Sequence, residues 1–146
     1  MERGLILAAV ALAVVALVAG GRLLARRRLR GLRATRPRVL WAALGEEPDG
    51  RPAVVAFSTP TCAACHTAQR PALAALAERA QGLVRIVHVD ASERPDVAGA
   101  FSVMTVPATV VLDPEGSVVA ANQGFATTEK LADQVGLYEL TPPARR

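Results

Sequence analysis

Ala53-Val54-Val55-Ala56-Phe57-Ser58-Thr59-Pro60-Thr61-Cys62-Ala63-Ala64-Cys65-His66 runs from five apolar residues through a polar turn into a cysteine pair. Cys62 and Cys65 are the only cysteines among 146 residues. A short continuous apolar run suits a strand buried on both faces. After the pair, Thr67 to Ala80 places Ala68, Ala72, Leu73 and Leu76 at helical spacing, with Gly82 just beyond as a terminator. Pro71 falls inside this helix and is expected to kink it. A C-x-x-C at a strand-to-helix junction reads as a redox pair, but C-x-x-C-H also spells a c-type haem attachment site. In the haem reading His66 and Met104 are the axial ligands. A zinc reading uses Cys62, Cys65, His66 and His88. Structural zinc wants four ligands in tetrahedral array, and adjacent residues on a helix do not face one another.

Outward from this stretch, the pattern alternates between the two regular structures. Val84 to Val89 reads as a strand ending in Asp90, and Arg94-Pro95-Asp96 opens a short helix to about Phe101. Thr109 to Leu112 is a strand, Asp113-Pro114-Glu115-Gly116 a tight turn with proline and glycine where a type I turn wants them, and Ser117 to Ala121 the antiparallel return. Thr127 is placed to cap a last helix running to about Val135. On the upstream side, Gly45 to Pro52 is a loop and Val39 to Leu44 a short helix or strand leading in. Strand, helix, strand, helix, strand, strand, helix predicts an α/β sandwich: a mixed central sheet flanked by helices, with a hairpin at one edge. A sheet already committed to packing helices leaves no evident haem pocket.

The amino terminus has a different character. Gly4 to Gly21 carries no charge, and Leu23, Leu24 and Ala25 extend the apolar run past Arg22. About 20 apolar residues span a bilayer, so residues 1–25 read as one transmembrane helix. A cleaved signal peptide is the alternative; the run is long for one, and arginines stand where a cleavage site belongs. Residues 26–38 form a basic stalk, with Arg26, Arg27, Arg28, Arg30, Arg33, Arg36 and Arg38 following Arg22. Residues 39–138 form the domain and 139–146 a tail containing Pro142 and Pro143. Positive flanks stay cytoplasmic, which predicts a cytoplasmic domain; the outward face is the alternative. The same arginines suit anionic lipid head groups.

The net charge of +4 belongs to this stalk. From Val39 to Ala144 there are twelve acidic residues to six basic ones. An acidic domain with 3% aromatic residues offers neither the basic face nor the stacking platform that nucleic acid needs. Two cysteines alone do not fix the redox compartment.

Taken together, Val39 to Leu137 resembles the thioredoxin-like family. Three anchors carry the resemblance: the strand, turn and C-x-x-C at 54–65; Val87-His88-Val89-Asp90 followed by Pro95; and Val106-Pro107-Ala108-Thr109 leading into Val110-Val111-Leu112. The resemblance implies that Cys62 is the exposed nucleophile and Cys65 the buried resolving thiol. It also implies that the Val106–Pro107 bond is cis and that Val106 offers its backbone to a substrate strand. Thiol–disulfide exchange of this kind needs no cofactor or metal. Its partners are protein disulfides or dithiols and a further redox protein that resets the pair, with reduction favoured if the domain is cytoplasmic. A non-catalytic binding module of the same fold is the remaining alternative.

Departures from the family pattern are specific. Thr61 stands where a tryptophan is usual, Ala63-Ala64 where Gly-Pro is usual, and Ala56 where a buried acid serves the second cysteine. Pro71 is about one residue late. His66 becomes a candidate modulator by proximity, and His88 reads as a core or edge histidine.

Overall fold

A computed structural model describes residues 2–35 and 37–140; Arg36 and the tail beyond 140, with Pro142 and Pro143, lie outside the described residues. Strands β1 (Ala53–Ser58), β2 (Arg85–Asp90), β3 (Ala108–Leu112) and β4 (Val118–Gln123) form one sheet in the order β2-β1-β3-β4. β1 runs parallel to β2 and antiparallel to β3, and β3 runs antiparallel to β4. Every residue of β3, and all of β1 except Ser58, is buried. The continuous apolar runs in the sequence come from this burial on both faces.

Alternation of side chains divides the core into two layers. Ala53, Val55 and Phe57 of β1 meet Ala108, Val110 and Leu112 of β3 under α2 (Pro37–Leu44) and α4 (Pro95–Ala100). Val54 and Ala56 join Val111 under α3 (Arg70–Ala80) and α5 (Thr128–Gln134). The sandwich expected from the sequence is therefore the structure adopted. Residues 37–44, open between helix and strand in the sequence, are helical, and bury Leu40, Trp41 and Leu44. Thr127 caps α5 as expected, its hydroxyl accepting from the Lys130 backbone at 3.2 Å. A helical turn not anticipated from the sequence, α6 (Leu137–Leu140), follows and buries Leu137 in the second layer.

α1 runs unbroken from Glu2 to Ala34. It is therefore one helix across the segments read from the sequence as span and stalk. Arginine is a good helix former, and nothing before Ala34 interrupts it. Leu29 and Leu32, three residues apart on one face, pack against the first core layer. Arg33 donates to the Val119 carbonyl of β4. The last turns of α1 are thus part of the domain's packing.

The single helix expected over Thr67–Ala80, with a kink at Pro71, is instead two elements. A π-helical turn occupies Cys65–Gln69, closed by the Arg70 N–H donating to the Cys65 carbonyl. Pro71 then sits in the first turn of α3, where its missing N–H is tolerated. The cysteine-bearing end is held by Gln69, which is 3% exposed. Its Nε2 donates to the Ala126 carbonyl at 3.1 Å, and its Oε1 accepts from the Ala126 N–H at 2.9 Å. Gln69→Leu keeps the volume but strands both Ala126 groups, at about 1–3 kcal/mol for each. The expected result is a lower denaturant midpoint with an unchanged slope.

Candidate functional site

The end of β1 delivers the chain through Ser58–Thr61 to Cys62, and the helix starts immediately behind it. The Cys62 N–H donates to the Thr59 carbonyl at 3.2 Å, which closes the turn. The Cys62 and Cys65 sulfurs are bonded to each other, with Cα atoms 5.3 Å apart. Cys62 is half-buried, whereas Cys65 is only 5% exposed. The Cys65 N–H also points at the Cys62 sulfur, at 3.2 Å. Unpaired N–H groups at a helix start favour an anion, so a thiolate released at Cys62 has a donor already aimed at it. Only one sulfur of the pair is open to a large partner.

The loop before β3 completes the site. The Val106–Pro107 bond is cis, as the resemblance implies. Pro107 leads directly into Ala108, which pairs with Phe57 at the end of β1. The Pro107 carbonyl accepts from the Gly124 N–H at 2.8 Å, which ties this loop to the one after β4. Thr59 and Val106 line a common cleft together with Met104 and Thr105. Met104 is 66% exposed and lies on this rim.

Both histidines border a second, smaller cleft behind Cys65, shared with Ala56, Gln69, Arg70 and Leu73. The His66 Nε2 donates to the Pro60 carbonyl at 3.0 Å, so the ring folds over the turn that precedes the pair. His88 lies on edge strand β2 in register with Ala56. The edge position agrees with the sequence reading of His88 as a core or edge histidine; its cross-strand neighbour Ala56 is not visible in a linear pattern. His88 is exposed at the sheet edge, yet partial desolvation of its ring against the cleft, followed by the positive charge of Arg70, pushes its pKa below the ordinary value. A histidine whose folded pKa is depressed takes up its proton more readily when unfolded. Its contribution to stability is complete above about pH 6.5 and is lost as pH falls through the folded value. Denaturant midpoints measured at pH 7.5 and 5.5 are expected to fall for the native chain and to fall less for His88→Asn.

The fold and the site together define a class: an α/β sandwich with a C-x-x-C disulfide at the start of a helix and a cis-proline loop beside it. The thioredoxin family model matches residues 46–136. The chain belongs to the thioredoxin family. It is 33% identical over 82 residues to the thioredoxin of Bacillus subtilis, covering 56% of this chain and 77% of that one. It is 31% identical over 68 residues to the thioredoxin of Listeria monocytogenes, covering 47% of this chain and 65% of that protein's length. Among solved structures, a mutant thioredoxin from Halobacterium salinarum superimposes with a TM-score of 0.56 at 25% identity, over 66% of this chain and 81% of that one. The thioredoxin of Fasciola hepatica does so with a TM-score of 0.52 at 29% identity, over 60% and 80% respectively.

Proposed function

We propose that this chain is a membrane-tethered thiol–disulfide oxidoreductase that exchanges its Cys62/Cys65 pair with protein disulfides, chiefly as a reductase. The unequal exposure of the two sulfurs carries this reading. Cys62, at the surface with an N–H donor beside it, is the nucleophile; Cys65, buried behind it, is the resolving thiol. The Cys62 thiolate attacks a partner disulfide, forming a mixed disulfide and expelling one partner thiolate. Cys65 then attacks the Cys62 sulfur, the second partner thiol leaves, and two electrons have passed to the partner. Val106 and Pro107 border the approach to Cys62 and act as the substrate-binding loop. A separate dithiol protein resets the pair.

The tether reading is supported by the length and apolarity of α1, in which Ala9–Ala34 qualifies as a candidate span. The arginines that follow favour a cytoplasmic domain and anionic lipid at the membrane surface. The test of exchange is turnover of a protein disulfide by the full chain in detergent or liposomes, with loss of turnover in Cys62→Ser. Turnover that survives that substitution removes the reading. Labelling of Cys62 in intact cells by a membrane-impermeant thiol reagent overturns the cytoplasmic assignment.

A further inference from the structure

The direction in which α1 leaves the domain fixes which face of the domain meets the membrane. Two pairings locate the active end of the sheet. Phe57 at the end of β1 pairs with Ala108, and Ala108 pairs with Gln123 at the end of β4. The ends of β1 and β4 and the start of β3 therefore lie together, at the end that carries Cys62 and Pro107. At the opposite end of the sheet, the Asp113–Gly116 turn joins β3 to β4.

α1 lies along β4 in a defined direction. Arg33 bonds Val119, near the start of the strand. Toward the amino terminus, Leu29, Ala25, Leu24 and Gly21 border a cleft of about 390 Å³ whose far wall includes Ala121, Gln123 and Ser102. The helix therefore passes from the turn end of the sheet to the active end as it runs back toward its apolar segment. From Arg33 to Gly21 is roughly 18 Å of helix at 1.5 Å per residue. From Val119 to Gln123 is roughly 13 Å of strand at 3.3 Å per residue. By the time α1 clears the sheet it has reached Gly21, the last residue of the uncharged run. Cys62 lies two strands to the side, roughly 10 Å away.

The surface at that end has matching chemistry. Residues 58–65, 102–107 and 124–127 form three of its loops, and none of them contains an acidic or basic residue; the fourth, 91–94 after β2, carries Glu93 and Arg94 at the sheet edge farthest from β4 and α1. Met104 and Phe125 stand on them 66% and 49% exposed. This is unusual on a domain whose remaining surface is acidic. Gln123 ties the 102–107 loop to β4, accepting from the Met104 N–H at 3.4 Å and donating to the Ser102 carbonyl at 3.3 Å.

We propose that the dithiol faces the bilayer at head-group depth and that its substrates are cysteine pairs of integral membrane proteins, held at or near the lipid surface. This rests on the reading of the chain as a tethered oxidoreductase and specifies the substrate of that same site. The reaction is the exchange written above: the Cys62/Cys65 dithiol becomes a disulfide, and the membrane partner's disulfide becomes a dithiol.

The test uses the full chain in liposomes. Trp41 is the sole tryptophan and is 2% exposed, so it gives a constant background. Met104→Trp and Phe125→Trp add a reporter at the active end, and Glu115→Trp adds one at the turn end. Lipids brominated near the head group are expected to quench the first two at least about twofold more than the third. Equal quenching, or stronger quenching of Glu115→Trp, overturns the orientation. The second arm measures reduction of one disulfide peptide, either fused directly to a transmembrane helix in the same liposomes or raised above it on a long flexible spacer. The direct fusion is expected to react at least tenfold faster. Equal rates overturn the substrate assignment. Reduction of a soluble protein disulfide by the same preparation keeps the two readings separate: if it is retained while both arms fail, the inference fails alone, and if it is absent, the underlying activity fails.

Discussion

Cys65→Ser is expected to stop turnover and leave the protein covalently joined to its substrate. Cys62 still attacks, because it is the part-exposed sulfur and keeps the Cys65-position N–H, a backbone group that substitution does not remove. The mixed disulfide then has no internal thiol to resolve it. Well-oriented intramolecular reactions have effective molarities of about 10⁵–10⁸ M, so external thiols at millimolar levels do not replace the lost sulfur. Non-reducing electrophoresis is expected to show a higher-mass adduct that reductant removes. Cys62→Ser is expected to show none. If Cys62→Ser forms the adduct and Cys65→Ser does not, the two roles are exchanged.

Trp41→Ala is expected to cost about 3–5 kcal/mol, as large aromatic truncations in a core do. Trp41 holds α2 to the first core layer and is 2% exposed. Its ring lies under the Arg85 guanidinium, 5.2 Å from the ring centre, and Arg85 is itself paired with Glu46. The indole Nε1 is buried without a hydrogen-bond partner among the described residues. Its value is therefore in packing, not in polar contact. Gly116 sits directly against it: a Cβ there would lie 2.4 Å from Nε1, and φ is +87°. Gly116→Ala is expected to destabilise by about 1–3 kcal/mol through overpacking, with added strain from the positive φ. Both are read from circular-dichroism denaturation curves. The substitutions lie at the turn end of the sheet, so exchange rates measured under folding conditions are expected to stay close to native.

The sequence made the sheet legible because its central strands are buried on both faces and so appear as uninterrupted apolar runs. The cysteine pair was legible for a different reason: spacing and placement at a strand end are local properties. What sequence left undecided was non-local. Residues 37–44 form a helix because Leu40, Trp41 and Leu44 find a core to enter, and no flanking residue announces that. Leu29 and Leu32 look like apolar gaps in an arginine run until β4 is placed beside them. His88 meets the cleft behind Cys65 only through its pairing with Ala56. The family's second-cysteine acid, absent at Ala56, could be noted from sequence, whereas what borders the vacated space could not.

The uninterrupted α1 has a kinetic consequence. A redox domain on a slack chain sweeps a volume and meets partners according to their bulk concentration. With Leu32 and Arg33 fixing the last turns of the stem, the proposed membrane tether would leave this domain only sliding in the plane of the membrane and spinning about the stem. Encounters then scale with the number of partners per unit area. Dilution of the surrounding solution, which slows a diffusing carrier in proportion, leaves that frequency unchanged.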